Sequence, residues 1–396
     1  MDKKILFIVQ NLPLPEDRRV FQEMETMSKN GFMVFAIAPG KPDQKKTETI
    51  GKMKIWRYRQ APPAAGLVGY VWEYAYSFSC SFYLALKIYF QEKYQVIHIS
   101  NPPDFFFPIG AFMKLFGVKY VFDQHDLMPE MSEAKFGSGS KSLLRKMLLL
   151  SEKLALKFCV VHITTCESGK CLVQKRSAFS AKTFIVRNAV DFSKVYSNTT
   201  PKKEIKELSQ FKHICAYLGV MGFQDGLDKL LESISYIVND KNRTDIGFVL
   251  MGDGDALPEI KKTALEYGIA DQVFFAGWAD SKMISTYLNI SDLGLMPEPV
   301  NSYTVNSLHN KVMEYMAHGL PVVSYDLKEA RKSAGSAGVF VSGNDSIKFG
   351  QAVLELIGNA GKRQEMGETG RMAAKENFTW EKSGQKLVEA YRYLGF

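Results

Sequence analysis

KILFIVQNLPLPEDRRVFQEMETMSKNGFMVFAIAP, residues 4–39, decides the fold. Its first run, KILFIVQ (4–10), is short and continuously apolar, as expected for a strand buried on both faces. RRVFQEMETMSKNG follows, with Val20, Met24 and Met27 at helical spacing and Gly31 as the stop. MVFAIAP (33–39) is a second buried strand. Strand, helix and strand in that order form a βαβ unit, which implies a parallel sheet.

The alternation continues to the end of the chain. Further strands are predicted at 54–59, 95–100, 120–125, 160–165 and 183–188, and a second series at 214–220, 247–254, 272–278, 293–299, 321–326 and 338–341. Helical patterns such as LDKLLESISYIV (227–238) lie beside them. The chain therefore reads as α/β, with two Rossmann-like domains at 1–190 and 191–377; 396 residues are enough for two cores. The polar run SKVYSNTTPKKEIKELS (193–209) is the expected linker, and FTWEKSGQKLVEAYRYLGF (378–396) a helix expected to pack back across the domains. Two such domains facing each other are expected to bind ligands in a central cleft, at the carboxyl ends of their strands.

Composition narrows the class. Hydrophobic residues are 46% and charged residues 23% of the chain, an ordinary globular balance. Five cysteines, an odd number without a CxxC pair, argue against a disulfide framework or a thiolate zinc site, and for a cytoplasmic, reducing setting. No small-residue cleavage site follows the first apolar run, and Asp17, Arg18 and Arg19 come soon after, so a signal peptide is not expected. Residues 1–190 hold 27 Lys+Arg against 16 Asp+Glu; residues 191–396 hold 23 against 26. A basic first half points to an anionic partner such as a phosphate-bearing acceptor, an anionic membrane face or nucleic acid; the plain alternative is solubility. Zinc-finger and RNP signatures are missing, so nucleic acid is not expected.

Two segments bear on membranes. AGLVGYVWEYAYSFSCSFYLALKIYF (65–90) is long enough to span a bilayer, but Glu73, Lys87 and the serines at 77, 79 and 81 favour a buried helix leaving an apolar patch on the acceptor side. KSLLRKMLLLSEKLALKF (141–158) puts Leu144, Met147, Leu148, Leu154 and Phe158 on one side. It fits docking on a membrane surface and equally a core-facing helix with a solvated basic face.

The chemistry-bearing stretch is NKVMEYMAHGLPVVSYD (310–326). Asn310 is expected as N-cap, and Gly319 with Pro321 as the stop. A helix that starts just past the carboxyl end of a strand offers free N–H groups to a phosphate. Lys311, in the first turn, opposes the helix dipole and is better placed with an anion bound. Glu314, one turn on, has the acceptors for two vicinal ribose hydroxyls, while its spacing also suits a salt bridge to Lys311 or a solvated carboxylate. In DQHDLMPE, His125 ends a strand beside Asp123, Asp126 and Glu130, an arrangement that orients an imidazole; the alternative for His125, as for His98, is a satisfied core histidine. Trp278 reads equally as core or ligand-facing.

NKVMEYMAHGLPVV resembles the donor-site helix of GT-B glycosyltransferases of family-4 type, which often read (P/N)-K-x-x-E-Y-M-A-x-G-x-P-V-V. PEDRRVFQEMETMSKNGFMV (15–34), HISNPPD (98–104), YVFDQHDLMPEM (120–131), YLGVMGFQDGLDKLLESI (217–234), VLMGDGDALPEI (249–260) and VFFAGWAD (273–280) resemble the rest of that family in order. The resemblance implies a GT-B fold and a retaining, metal-independent transfer of a hexosyl or N-acetylhexosaminyl group from a nucleotide-sugar, with UDP the expected base and no cofactor. The implied acceptor is a saccharide or lipid-linked saccharide in cell-surface polysaccharide synthesis, and the implied location is the cytoplasm, peripheral on the inner face of its membrane. Glu314 is then the ribose anchor, Lys311 and Asn310 belong to the phosphate seat, and His125 contacts donor sugar or acceptor. Gly222, Gly252, Gly254, Gly277 and Trp278 form the nucleotide turns, and Asp17, Arg19, Asp126 and Glu130 face the acceptor. Departures from the family pattern are as informative. Asn306 stands where a first glutamate is common, leaving Asn306 or Glu298 for the sugar, and Val220 and Asp225 replace the usual diphosphate-binding Arg and Lys. Those losses keep two other readings open: a GT-B sugar-nucleotide epimerase and a non-catalytic GT-B nucleotide-binding module. A Rossmann dehydrogenase is unsupported, since no G-x-G-x-x-G follows strand 4–10.

Overall fold

The computed structural model describes residues 3–61, 66–136, 143–195 and 200–396. Ala65, Lys141 and Ser142 of the two apolar segments, and residues 196–199 of the expected linker, lie outside the described residues. The chain divides into two compact units, Met1–Asn188 with Glu381–Phe396, and Ala189–Trp380.

The first unit is built on eight strands: β1 (Lys4–Ile8), β2 (Met33–Gly40), β3 (Thr47–Ile50), β4 (Met53–Arg59), β5 (Val96–Ser100), β6 (Lys119–Gln124), β7 (Val161–Thr164) and β8 (Lys182–Ile185). Their order is β3-β4-β2-β1-β5-β6-β7-β8. All pair in parallel except β3, which runs antiparallel to β4. The sequence reading missed β3 because TETI is short, polar and on the sheet edge, where no face demands apolar residues.

Register distributes the polar residues of the sheet. Phe7 pairs with His98, His98 with Val121, and Ser100 with Asp123, so Phe7, His98 and Asp123 share one face. Phe122 pairs with His162, so Gln124 and His162 share the other. Helix Arg18–Lys29 covers the first face, burying Val20, Glu23, Met24 and Met27, and Asp17 caps it by accepting from Val20 N at 3.1 Å. The terminal helix Trp380–Tyr393 buries Leu387, Ala390 and Tyr391, and Tyr391 meets the Phe32 ring edge-on.

The two apolar segments form helices Gly66–Glu92 and Leu143–Phe158. The first buries only a stripe containing Ser77, Ser81, Ala85 and Ile88, leaving Val71, Trp72, Tyr83 and Phe90 exposed. The second corrects the predicted face: it buries Leu148, Glu152, Ala155 and Leu156, while Leu143, Met147 and Leu150 are exposed. A buried glutamate is the reason, because its ion pair replaces the apolar face the spacing suggested. No helix among the described residues is long and apolar enough to cross a membrane.

The second unit holds six strands, β9 (His213–Leu218), β10 (Ile246–Met251), β11 (Val273–Gly277), β12 (Leu293–Met296), β13 (Val322–Tyr325) and β14 (Gly338–Val341). They are all parallel, in the order β11-β10-β9-β12-β13-β14. Strand order reverses between β9 and β12, and in open sheets ligands bind outside the carboxyl ends at such a switch point.

Candidate functional site

Three loops follow the carboxyl ends of β9, β10 and β12, and they close against one another through backbone. Gly252 holds φ +144°, and a Cβ there would collide with the Gly219 carbonyl; Gly226, at φ +74°, sits in the same way on the Pro297 carbonyl. Gly252 N donates to Gly277 O at 2.8 Å, and Met221 N to Asp253 O at 3.0 Å. The predicted turn glycines Gly222, Gly252, Gly254 and Gly277 thus lie in one connected set of loops. Trp278, beside them, is 78% exposed, which removes its reading as a core aromatic.

Helix Asn310–Ala317 starts at this place. His309, not Asn310, is the residue before its first turn, so the predicted cap is one residue late. Tyr315 anchors the helix: its hydroxyl accepts from Leu218 N at 2.8 Å and donates to Leu295 O at 3.0 Å, tying it to the ends of β9 and β12. Lys311 lies over the Tyr217 ring, with Nζ 4.2 Å from its centre, and pairs with Glu298 Oε1. The Glu298 residue is 3% exposed, and its second oxygen, Oε2, is buried with no hydrogen-bond partner among the described residues. Glu314 is partly buried one turn further on, and Asn306 turns its carboxamide onto Ser302 O at 3.0 Å.

Asp225, where the family pattern has a lysine, accepts from Gly222 N at 2.9 Å and so closes the loop after β9. Burial raises its pKa, Lys311 opposes and Glu298 adds to the rise, and the carboxyl is pushed up to about 6 from an ordinary 3.8. A carboxyl raised in the folded state binds protons better there than in the unfolded chain. Its stabilising contribution is therefore present in acid and is lost as pH rises from about 4 through about 6. Replacing it, Asp225→Asn, is expected to raise stability at pH 7.5 by on the order of 1–3 kcal/mol and to flatten the pH dependence across that window, read by urea unfolding from pH 4.5 to 8.

In the first unit, β6 delivers Asp123 and His125 together. His125 Nε2 lies 2.6 Å from Asp123 Oδ2. Arg19 Nη2 is 3.2 Å from Asp123 Oδ1 and 3.1 Å from Glu23 Oε1, while Arg19 Nη1 donates to Val186 O and Asn188 Oδ1. His98 is fully buried, with Nε2 3.3 Å from Asp123 and 3.5 Å from Glu23. Burial and the neighbouring Asp123 push Glu23 well above the carboxylate range, whereas His125 and Arg19 hold Asp123 well below it despite its burial. Asp123 is thus the charged carboxylate of the pair. Glu23, Asp123 and His125 also form a set of possible metal ligands, with their atoms within 4.8 Å of one another. The Arg19 guanidinium already stands against both carboxylates.

The other predicted residues fall apart from this group. Asp17 caps helix Arg18–Lys29. Glu130 is buried in an ion pair with Arg176, which also grips the fully buried Glu152, on the sheet face that carries Gln124. Asn101, which the sequence reading passed over, positions the loop: its Oδ1 accepts from His125 N at 2.5 Å and Asp126 N at 3.1 Å, and its Nδ2 donates to Asp126 O at 2.7 Å. Its place in HISNPPD, at a strand's carboxyl end, was the available signal.

Residues 17–194 match the family described as Glycosyltransferase Family 4, and residues 212–359 match Glycosyl transferases group 1. Among curated relatives, alpha-D-kanosaminyltransferase of Streptomyces kanamyceticus is 22% identical over 184 residues, covering 46% of each chain. A GDP-mannose-dependent alpha-(1-6)-phosphatidylinositol monomannoside mannosyltransferase of Mycolicibacterium smegmatis is 26% identical over 149 residues, 37% of this chain and 39% of its own. The chain thus spans less than half the length of these relatives. Solved structures agree over nearly the whole fold. Sucrose-phosphate synthase from Thermosynechococcus elongatus superposes with a TM-score of 0.83 at 16% identity, covering 99% of both chains. Anabaena HepE in complex with UDP gives 0.74 at 14% identity, covering 98% of this chain and 100% of its own.

Proposed function

Because the chain belongs to the GT-B glycosyltransferases of family-4 type, we propose that it moves a sugar from a nucleotide-sugar to a saccharide or lipid-linked saccharide, with retention of anomeric configuration. The observation that carries this reading is Lys311. It sits in the first turn of a helix at the switch point, held by a buried carboxylate that has one oxygen unsatisfied. An arriving diphosphate takes Lys311 from Glu298, accepts from the helix N–H groups, and draws negative charge to where the leaving group forms. Glu314 anchors the ribose, and Trp278 offers an exposed face to the base. The leaving diphosphate helps deprotonate the incoming hydroxyl, so the protein has to align the reactants and stabilise charge, without a metal. His125 positions sugar or acceptor in the first unit.

UDP is the first base to test, since HepE holds it, and GDP the second, since the mycobacterial relative uses GDP-mannose by name. A screen of UDP-, GDP- and dTDP-sugars for thermal stabilisation, followed by hydrolysis of the best, tests the donor; no stabilisation by any of them sinks the reading. Release of a 2-epimer without an acceptor product would instead favour an epimerase. Glu314→Ala is expected to abolish stabilisation by the best donor while leaving the melting temperature of the ligand-free protein nearly unchanged, since the residue is only partly buried. Retained stabilisation would remove Glu314 from the site.

The acceptor is assigned to the first unit, in cell-surface polysaccharide synthesis on the inner face of the cytoplasmic membrane. The exposed Trp72, Tyr83, Phe90, Leu143 and Met147, with Arg145 and Lys146 beside the last two, favour contact with an anionic bilayer. Co-sedimentation with phosphatidylglycerol vesicles, weakened by Trp72→Glu and by salt, checks that contact; no binding at low salt contradicts it.

A further inference from the structure

The loop after β9, GVMGFQDG (219–226), carries no lysine or arginine. Val220 and Phe223 are exposed on it. Its one charged residue is Asp225, whose Oδ2 accepts from Gly222 N at 2.9 Å and from Gln224 Nε2 at 3.2 Å. A backbone N–H at the carboxyl end of a strand is a natural partner for a phosphate oxygen in such a fold. Here a carboxylate of the same loop already holds it.

The surrounding groups offset little of that charge. Lys311 reaches this loop: a Cβ added to Gly219 would lie 2.7 Å from its Nζ. Lys311 is also paired with the buried Glu298. The groups facing Asp225 are thus Lys311 from helix Asn310–Ala317, Glu298 from the loop after β12 and the neutral Tyr217 from β9. Asp228, in the next helix, and Asp253, in the loop after β10, are exposed, and Lys229 pairs with Glu232. One ammonium therefore stands among carboxylates, at a place where a diphosphate brings further negative charge. A diphosphate esterified to a sugar has no proton to gain near neutral pH, so the relief has to come from the protein. Burial already favours the protonated form of Asp225, and a new anion beside it favours that form more.

We propose that Asp225 is an internal stand-in for the donor phosphate: the diphosphate takes Gly222 N–H from its carboxylate, and Asp225 picks up a proton as the donor binds. This rests on the site's binding a nucleotide-sugar. One proton passes from solvent to a carboxyl oxygen for each donor bound, and no covalent bond to a heavy atom forms or breaks. Donor affinity is then highest in acid and falls as pH rises through the ionisation of Asp225.

The test is calorimetric titration of UDP-glucose, or of the best donor of the screen, into the intact protein from pH 5.5 to 8, in buffers of different ionisation enthalpy. The parent is expected to take up about half a proton or more per donor near pH 7, and its Kd to rise about tenfold or more from pH 5.5 to 8. Asp225→Asn, which keeps the shape and one acceptor oxygen, is expected to lose both effects. It should match the parent at pH 5.5 and bind about tenfold more tightly at pH 8. A change in loop shape alone would move Kd by the same factor at every pH, and that result overturns the proposal. Donor binding by the parent without proton uptake also overturns it, as does uptake that persists in Asp225→Asn. Absence of donor binding at every pH defeats the nucleotide-sugar reading itself, and this inference with it.

Discussion

Lys311→Ala is expected to lower donor turnover by about 10²–10³-fold, because the diphosphate loses the cation at the leaving charge. The family pattern supplies an arginine and a lysine in the loop after β9, and here Val220 and Asp225 stand in those places. That loop brings a carboxylate where the family pattern has cations, so under the proposed function Lys311 and the helix N–H groups carry what remains of the charge balance. The same substitution strips the counter-charge from Glu298, which is buried and already has one unsatisfied oxygen. Removing one partner of a buried pair costs about 3–5 kcal/mol. The two effects separate in a double variant: Lys311→Met with Glu298→Gln is expected to recover stability in urea without recovering turnover. Full turnover in Lys311→Ala would transfer the role to another group. Lost turnover with donor stabilisation retained would argue against the reading of a binding module without catalysis.

How much of this could be read from the chain depends on range. Thirteen strands were legible, because a strand buried on both faces writes a continuous apolar run into the sequence; β3 lies on an edge and writes nothing. Helix Asn310–Ala317 was legible to within one residue at its start. The ion-pair partner of Lys311 was not: Glu298 lies 13 residues upstream, across an irregular loop, and helical spacing had offered Glu314 instead. Helix Leu143–Phe158 was misread for a similar reason. Glu152 is buried there only because Arg176 and Gln124, distant in sequence, meet it. His125 stood out as a polar strand end, but the charged groups gathered around Asp123 come from β5, the end of β6 and the first helix, and no local pattern links those.

That second network also fixes the largest stability effect expected in the first unit. Arg176 donates from Nε to Glu152 Oε1 at 2.8 Å and from Nη1 to Glu130 Oε1 at 2.5 Å. Glu152 also accepts from Gln124 Nε2 at 2.8 Å, and Gln124 Oε1 faces the buried His162 at 3.2 Å. Arg176→Ala leaves two buried carboxylates without a cation, and is expected to destabilise the protein by about 3–5 kcal/mol in urea at pH 7.5. Arg176→Lys is expected to recover only part of this, because a single ammonium cannot replace the guanidinium fork that spans both acids. A variant as stable as the parent at pH 7.5 would show that water reaches Glu152 and replaces the arginine. The network lies in the first unit, whereas the residues assigned to the nucleotide lie in the second. Donor-induced stabilisation is therefore expected to persist in Arg176→Ala at temperatures where it stays folded, while Glu314→Ala loses that stabilisation with little change in the unliganded protein.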